Sequence, residues 1–368
     1  MRVLFLQQQP CARARKYGAA LAAVRPDLEL GFAYRGRTLS ERYGSGDELF
    51  GSWWRLGDRP ARDLRAVLAE FSPDIVHSHA LPDTLTVLAN ELTAGRVPVV
   101  HDAHDLQSLR KLPFDDGFEP PPDLLEWERR AVEESAALVT VSAELIEAIG
   151  SRYTLPGLTC VFPNYALERD LPKALPPPER RPDGPMRLVY EGALTTNGDH
   201  YDLRELFRRI VEQGLTLDVY PSQEAPAYRE LAAQTSGLTC HAPLTPERLL
   251  AELVRFDCGW AGFNDEANGA HLDTALPNKA FEYACAGLPV VALPHRALSR
   301  LVDRAQLGVC VDDVSEVGAR LAQADLTKLR RGLAERRGQL TFEGHIGRIV
   351  SLYETLVREP IVGIIGAA

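Results

Sequence analysis

The sequence predicts two parallel, doubly wound α/β sheets in tandem. Three observations predict it. Short apolar runs alternate with amphipathic stretches through both halves, the pattern of strand–helix–strand units. A segment rich in proline and charge, Lys173–Pro185, falls near the middle and reads as a linker. The 368 residues are enough for two domains, each with its own core.

The first half opens with a strand, Arg2–Leu6, a loop, and a helix through Tyr17–Leu21. Leu28–Tyr34 is the second strand. Pro60–Phe71 is an amphipathic helix, with Pro60 suited to its first position. Ser72–His79 turns into a strand, and Leu85–Leu92 is helical. Val97–Leu106 is a strand ending in the polar cluster His101, Asp102, His104 and Asp105. Leu124–Ser135 is an exposed, charged helix. Ala137–Ser142 is a strand, Ala143–Tyr153 its helix, and Thr159–Tyr165 the next strand. In doubly wound sheets ligands lie outside the carboxyl ends of strands, which draws attention to the histidines there.

The second half repeats the pattern. Arg187–Leu194 is a strand running into a Gly-containing loop, Tyr201–Gln213 a helix, Leu215–Tyr220 a strand and Ala225–Gln234 a helix. Leu238–His241 is a short strand. Thr245 and Pro246 open a helix to Phe256, as N-cap and first residue. Asp257–Phe263 is a strand. A helix and strand span Leu298–Val311, and helices continue to Val357.

Leu276–Ala292 reads LPNKAFEYACAGLPVVA, a short helix closed by a glycine and followed by a buried strand. Pro277 suits the first helical position, and Gly287 the left-handed residue past the end. Val290-Val291-Ala292 is the strand, covered on both faces. The free N–H groups near Asn278 and Lys279 favour an anion, and Lys279 adds a full positive charge. Glu282 shares their face. Two readings stand: a nucleotide site, with Lys279 on the diphosphate and Glu282 on both ribose hydroxyls, or a surface Lys–Glu pair on an amphipathic helix.

Composition narrows the partners. A net charge of −10 argues against nucleic acid. Cys11, Cys160, Cys240, Cys258, Cys285 and Cys310 show no zinc or redox spacing and read as reduced core residues of a cytoplasmic protein. Arg2–Leu6 is too short for a signal peptide, and no apolar run reaches the ~20 residues that span a bilayer. Arg13, Arg15 and Lys16 read either as a solvated basic helix start or as a contact for an anionic acceptor or membrane surface.

PNKAFEYACAGLPVVA resembles the nucleotide-sugar motif of GT-B glycosyltransferases, above all the retaining family 4: Pro-x-Lys-x-x-Glu-Tyr, then Gly-x-Pro-Val-Val. SPDIVHSH at 72–79 resembles the PDIVHxH segment of that family. Thr159–Tyr165 resembles the strand closing the first GT-B domain, and Phe342–Leu356 the final helix that crosses back to it. The resemblance implies two Rossmann-like domains facing a cleft. They are an acceptor-side domain at 1–172 and a nucleotide-sugar domain at 186–341, joined by a linker at 173–185. A crossing helix at 342–358 and a tail at 359–368 follow. It implies a donor site of Pro277, Asn278, Lys279 and Glu282, with Gly192 and Asn197 from the preceding loop.

It also implies a histidine by the reacting sugar. His104 is the catalytic candidate, with His101, Arg13 and Arg15 on the acceptor side. The bland reading has the histidines bonded to Asp102, Asp105 or loop backbone. His77, His79, His101 and Asp102 could suggest a metal, but the resemblance implies none, and no cofactor beyond the nucleotide sugar. Two departures from the family stand out. The loop Thr195–His200 holds no Lys or Arg for the diphosphate. Thr274 stands eight residues before Glu282, where the family often has a second Glu. Asp273, Asp265, Glu266 or Asn268 could take its place, and Gly269-Ala270-His271 could bring backbone N–H groups and a histidine near the donor.

The leading expectation is a retaining transferase moving a sugar from a nucleotide-diphosphate sugar to a glycan, lipid-linked or small-molecule acceptor. The alternative is a non-catalytic GT-B protein that binds a glycan or partners an active transferase. A sugar-nucleotide epimerase is a third reading that no residue set favours.

Overall fold

Seven strands form one all-parallel sheet: β1 (Arg2–Gln7), β2 (Glu29–Tyr34), β3 (Ser52–Arg55), β4 (Ile75–His79), β5 (Val99–Ala103), β6 (Ala137–Thr140) and β7 (Thr159–Val161). Six form a second: β8 (Arg187–Gly192), β9 (Thr216–Pro221), β10 (Leu238–Cys240), β11 (Cys258–Trp260), β12 (Val290–Ala292) and β13 (Gly308–Cys310). The orders are β3-β2-β1-β4-β5-β6-β7 and β10-β9-β8-β11-β12-β13. The strand order reverses beside β1 and β4 in the first sheet and beside β8 and β11 in the second. Those switch points are where such sheets open a crevice for ligands. The computed structural model describes residues 1–111, 118–119, 121–175, 177 and 184–358.

Each sheet carries its own core. In the first, Leu4, Leu6, Val76 and Val99 pack on Leu64, Val67 and Phe71 of the Pro60–Phe71 helix. In the second, Leu217, Val219 and Trp260 pack with Phe207, Ile210 and Tyr228. Burying such a side chain stabilises by about 1.5–3 kcal/mol. The chain divides into two compact units, Met1–Pro163 with the segment from His345 onward, and Asn164–Gly344. The first division thus falls ahead of Lys173–Pro185. Of that segment, residues 176 and 178–183 lie outside the described residues, as does the 359–368 tail.

Several elements differ from expectation. β3, with the sequence SWWR, has no alternating pattern to announce it. It forms because Trp53 stacks on Phe32 at 4.8 Å and Trp54 meets Phe71. Pro277 is the N-cap of the Asn278–Cys285 helix, in extended conformation, and not its first residue. Thr245 caps the Pro246–Leu253 helix without a side-chain bond. The final helix is broken at Ile346 into Phe342–His345 and Gly347–Arg358. Gly287 takes φ +76°, the left-handed conformation the sequence calls for.

Candidate functional site

In the second unit, β8 delivers Glu191 and Gly192 to the switch point, and β11 leads to Phe263. Gly192 has φ +128°, a conformation that excludes most side chains. A Cβ there would stand 3.2 Å from Lys279 Nζ. The Asn278–Cys285 helix carries Lys279 into this corner, over the rings of Tyr190 at 3.8 Å and Phe263 at 4.9 Å. Lys279 is only 6% exposed. Burial lowers its pKa to about 7, against the pull of Glu191 and Glu282 upward. The expected full positive charge at an open helix start is therefore corrected: desolvation leaves the amine close to half-charged at neutral pH. A surface Lys–Glu pair is excluded for the same reason.

The other donor-side residues differ in their settings. Glu282, Asn278 and Pro277 are half-buried around the helix start. Asn197 lies on an exposed turn, where its Oδ1 accepts from Asp199 N at 3.1 Å. Thr274 is buried and donates to His271 O at 2.8 Å, so its hydroxyl serves its own turn. Asp273 accepts from Arg296 N, at the start of the next helix. Asp265 and Glu266 are exposed. Asn268 is buried against His200 at 3.0 Å, with His271 and Phe263 close by. Sequence reasoning missed Tyr190, Glu191 and Phe263. Tyr190 and Glu191 sit in β8 and Phe263 in the loop after β11, and only the pairing of β8 beside β11 brings them together at Lys279.

At the carboxyl ends of β9 and β10 lies a cavity of about 330 Å³, lined by Tyr220, His241, Leu244, Arg248 and Glu252 among others. Tyr220 stacks on His241 at 4.3 Å, and Asp218 holds His241 Nε2 at 2.6 Å.

In the first unit, Asp102 is a hub. Register makes it so: β4 pairs His79 with Asp102, and period-two alternation puts His77 on the same face. Arg13 Nε donates to both Asp102 oxygens, at 3.0 and 2.9 Å, and Nη2 donates to Phe162 O and Tyr17 Oη. His77 Nε2 is 3.3 Å from Asp102, and its Nδ1 meets Tyr353 Oη. His79 Nδ1 is 3.9 Å from Asp102 and stacks on His77. Although burial opposes it, Arg13 with His104 and His77 holds the Asp102 carboxyl well below the usual range. Burial keeps His77 and His79 neutral.

His104 follows the end of β5, with Nδ1 3.6 Å from Asp102 and the side chain 17% exposed. Burial alone would lower its pKa, but Asp102, Cys11 and Asp105 outweigh it and raise it to about 9. At neutral pH it is an imidazolium, able to donate and not to accept. His101 is placed elsewhere. It lies on the opposite face of β5, 3.3 Å from Thr86 Oγ1 and 3.5 Å from Asp83, fully buried. Burial lowers its pKa to about 3 and raises that of Asp83 to about 8, so this pair is neutral. Arg13, Arg15 and Lys16 are all buried. The solvated basic patch expected at this helix start is absent, because Arg13 turns inward to Asp102. His77, His79 and Asp102 offer donor atoms within 4.8 Å of one another, near enough for a metal. Arg13 already engages both Asp102 oxygens, and a dication beside it would meet like charge.

Residues 7–165 match the glycosyl transferase 4-like domain. Similar structures extend over both units. Sucrose-phosphate synthase from Thermosynechococcus elongatus aligns at 13% identity and TM-score 0.71, covering 97% of this chain and 99% of that one. A glycosyltransferase from Rickettsia africae aligns at 10% identity and TM-score 0.68, covering 97% and 99%. Anabaena HepE, in complex with UDP, aligns at 14% identity and TM-score 0.68, covering 98% and 100%. The chain is GT-B in fold and resembles the family 4 glycosyltransferases. No curated protein matches the sequence. Among the described residues, no helix of this GT-B chain is long and apolar enough to cross a membrane.

Proposed function

We propose that this GT-B protein is a retaining glycosyltransferase that uses a nucleotide-diphosphate sugar. The observation that carries the proposal is the corner at the β8–β11 switch point. There Gly192, the start of the Asn278–Cys285 helix and the buried Lys279 amine meet, with Glu282 one turn deeper. A helix start and a lysine suit a diphosphate, which must be stabilised as it leaves with negative charge. Glu282 is the acceptor for the ribose hydroxyls. The Tyr220–His241 cavity lies one to two strands from β8, roughly 5–10 Å at ~4.8 Å per strand. That distance suits a base joined through ribose to a diphosphate at Lys279.

His104 is the first unit's candidate for the reacting sugar, as a cationic donor. The acceptor is a glycan, a lipid-linked glycan or a small molecule. The burial of Arg13, Arg15 and Lys16 removes the reason for a membrane contact. Arg13 on Asp102 supports a metal-free reaction. The test is a thermal-shift screen against UDP, GDP, ADP, TDP and CMP, followed by nucleotide release from a panel of sugar donors. One nucleotide should raise the melting temperature by mass action, and one donor should release it.

A second reading, a non-catalytic glycan-binding or partner protein, is favoured by Thr274, whose hydroxyl is tied to His271 where family members often place a Glu. Nucleotide binding without turnover on any donor supports that reading.

A further inference from the structure

Among the described residues, Lys279 Nζ is buried without a hydrogen-bond partner. Its surroundings come from three segments. β8 supplies the Tyr190 ring, the Glu191 carboxylate and the bare Cα of Gly192. The Asn278–Cys285 helix supplies Glu282 and the Tyr283 phenol, which accepts from Glu191 N. The loop after β11 supplies Phe263. Further out, Tyr201, Tyr228 and Asp199 surround Tyr190, and His200 lies 6.1 Å from Phe263. Two carboxylates and two ring faces favour an ammonium. They do not satisfy its three N–H donors, and desolvation outweighs them. The amine is thus a cation only in part, at the mouth of a helix start that favours anions.

We propose that a diphosphate binding at the start of the Asn278–Cys285 helix is accompanied by uptake of one proton from solvent, which comes to rest on Lys279 Nζ. The inference rests on the nucleotide reading above and deepens it. The step balances simply: a neutral amine gains a proton and becomes an ammonium, and the buffer supplies that proton. An incoming dianion supplies the partner the ammonium lacks. Affinity should therefore be flat below about pH 7 and weaken above it, approaching tenfold per pH unit.

The test is isothermal calorimetry with UDP, GDP and ADP at pH 8, in Tris and in HEPES, whose ionisation enthalpies differ. The dependence of the apparent enthalpy on buffer counts the protons taken up. Close to one proton is expected at pH 8, falling toward zero near pH 6.5. Lys279→Arg keeps the charge but cannot be deprotonated, so it should bind with no uptake. Glu191→Gln removes a carboxylate that favours the ammonium, so uptake should begin at lower pH; it keeps the test open if the arginine variant does not fold. Binding to the wild type without proton uptake overturns the inference and leaves the donor site standing. Uptake of the same size in Lys279→Arg, or an unmoved onset in Glu191→Gln, assigns the proton elsewhere and overturns it too. No binding of any of these three, nor of TDP or CMP, overturns both the donor reading and the inference.

Discussion

Glu282 and His104 carry opposite chemistry and should fail in different ways. A carboxylate accepts from two ribose hydroxyls at once; an amide accepts on one side only. Glu282→Gln should weaken nucleotide binding by about 1.5–3 kcal/mol, the range for hydrogen bonds to a charged group. Calorimetry on the folded variant checks it, and an unchanged dissociation constant removes Glu282 from the site. His104 is a cation held by Asp102. If it meets only the reacting sugar, His104→Ala should lower kcat more than it raises KM. A normal kcat returns His104 to a role in packing. Asp102 has a different liability. Asp102→Asn leaves the Arg13 guanidinium buried without its counter-charge. Breaking one side of a buried pair costs about 3–5 kcal/mol. Denaturant unfolding reads this directly, and a loss under about 1 kcal/mol would mean that other groups neutralise Arg13.

At the scale of the element, the β4 and β5 strand ends set a pH window. His77, His79 and His101 have pKa values depressed by burial below the unfolded value of about 6.5. The stability tied to their neutral forms is present above that pH and is lost as pH falls through the window below it. His104, raised to about 9, works in reverse: its contribution is full below about 6.5 and is lost as pH climbs toward 9. Thermal stability of the first unit should therefore peak near neutrality and fall on both sides. His79→Phe keeps the ring stack and removes one titrating group, so its acid limb should be shallower, by up to about 1.4 kcal/mol per pH unit. An acid limb with the wild-type slope would show that His79 takes up no proton on unfolding.

This hub was half legible in the sequence. Ile75–His79 and Val99–Ala103 read as strands, and alternation alone puts His77 and His79 on one face. Register, which the sequence does not print, brings Asp102 to that face and sends His101 to Thr86. Arg13 misled for a related reason. A basic run at a helix start reads as solvated unless a buried carboxylate 89 residues away is known to meet it. In the second unit the motif around Lys279 was legible, but its loss of charge was not. That depends on Tyr190 and Phe263, which look like ordinary core residues.

At the scale of the whole molecule, the first unit is completed by the segment after Gly344. Ile346, Ile349, Val350, Tyr353 and Leu356 are buried there, and Tyr353 Oη meets His77. At about 1.5–3 kcal/mol per large apolar side chain, their loss matches the whole ~5–15 kcal/mol that holds a domain folded. A chain ending at Gly344 should therefore lose hydrogen-exchange protection through β1–β7 and keep it in β8–β13. Equal protection in both sheets would show that the last helix is dispensable. Tyr353→Phe, which removes only the bond to His77, should cost about 1 kcal/mol.

The same interleaving fixes an order of events on the ribosome. Residues 1–163 emerge first, but they lack the helix that completes them. Residues 164–344 then emerge as a contiguous run and can fold as soon as they clear the exit tunnel. At about 5–20 residues per second, roughly 10–40 s separate Pro163 from His345. Throughout that interval the earlier-made unit waits with apolar surface uncovered, while the later-made one closes as soon as Gly344 has emerged. Nascent-chain chaperones and proteases therefore meet the His77–Asp102 unit far longer than the Lys279 unit. A destabilising substitution in the first has that much more time to cost the cell the whole protein.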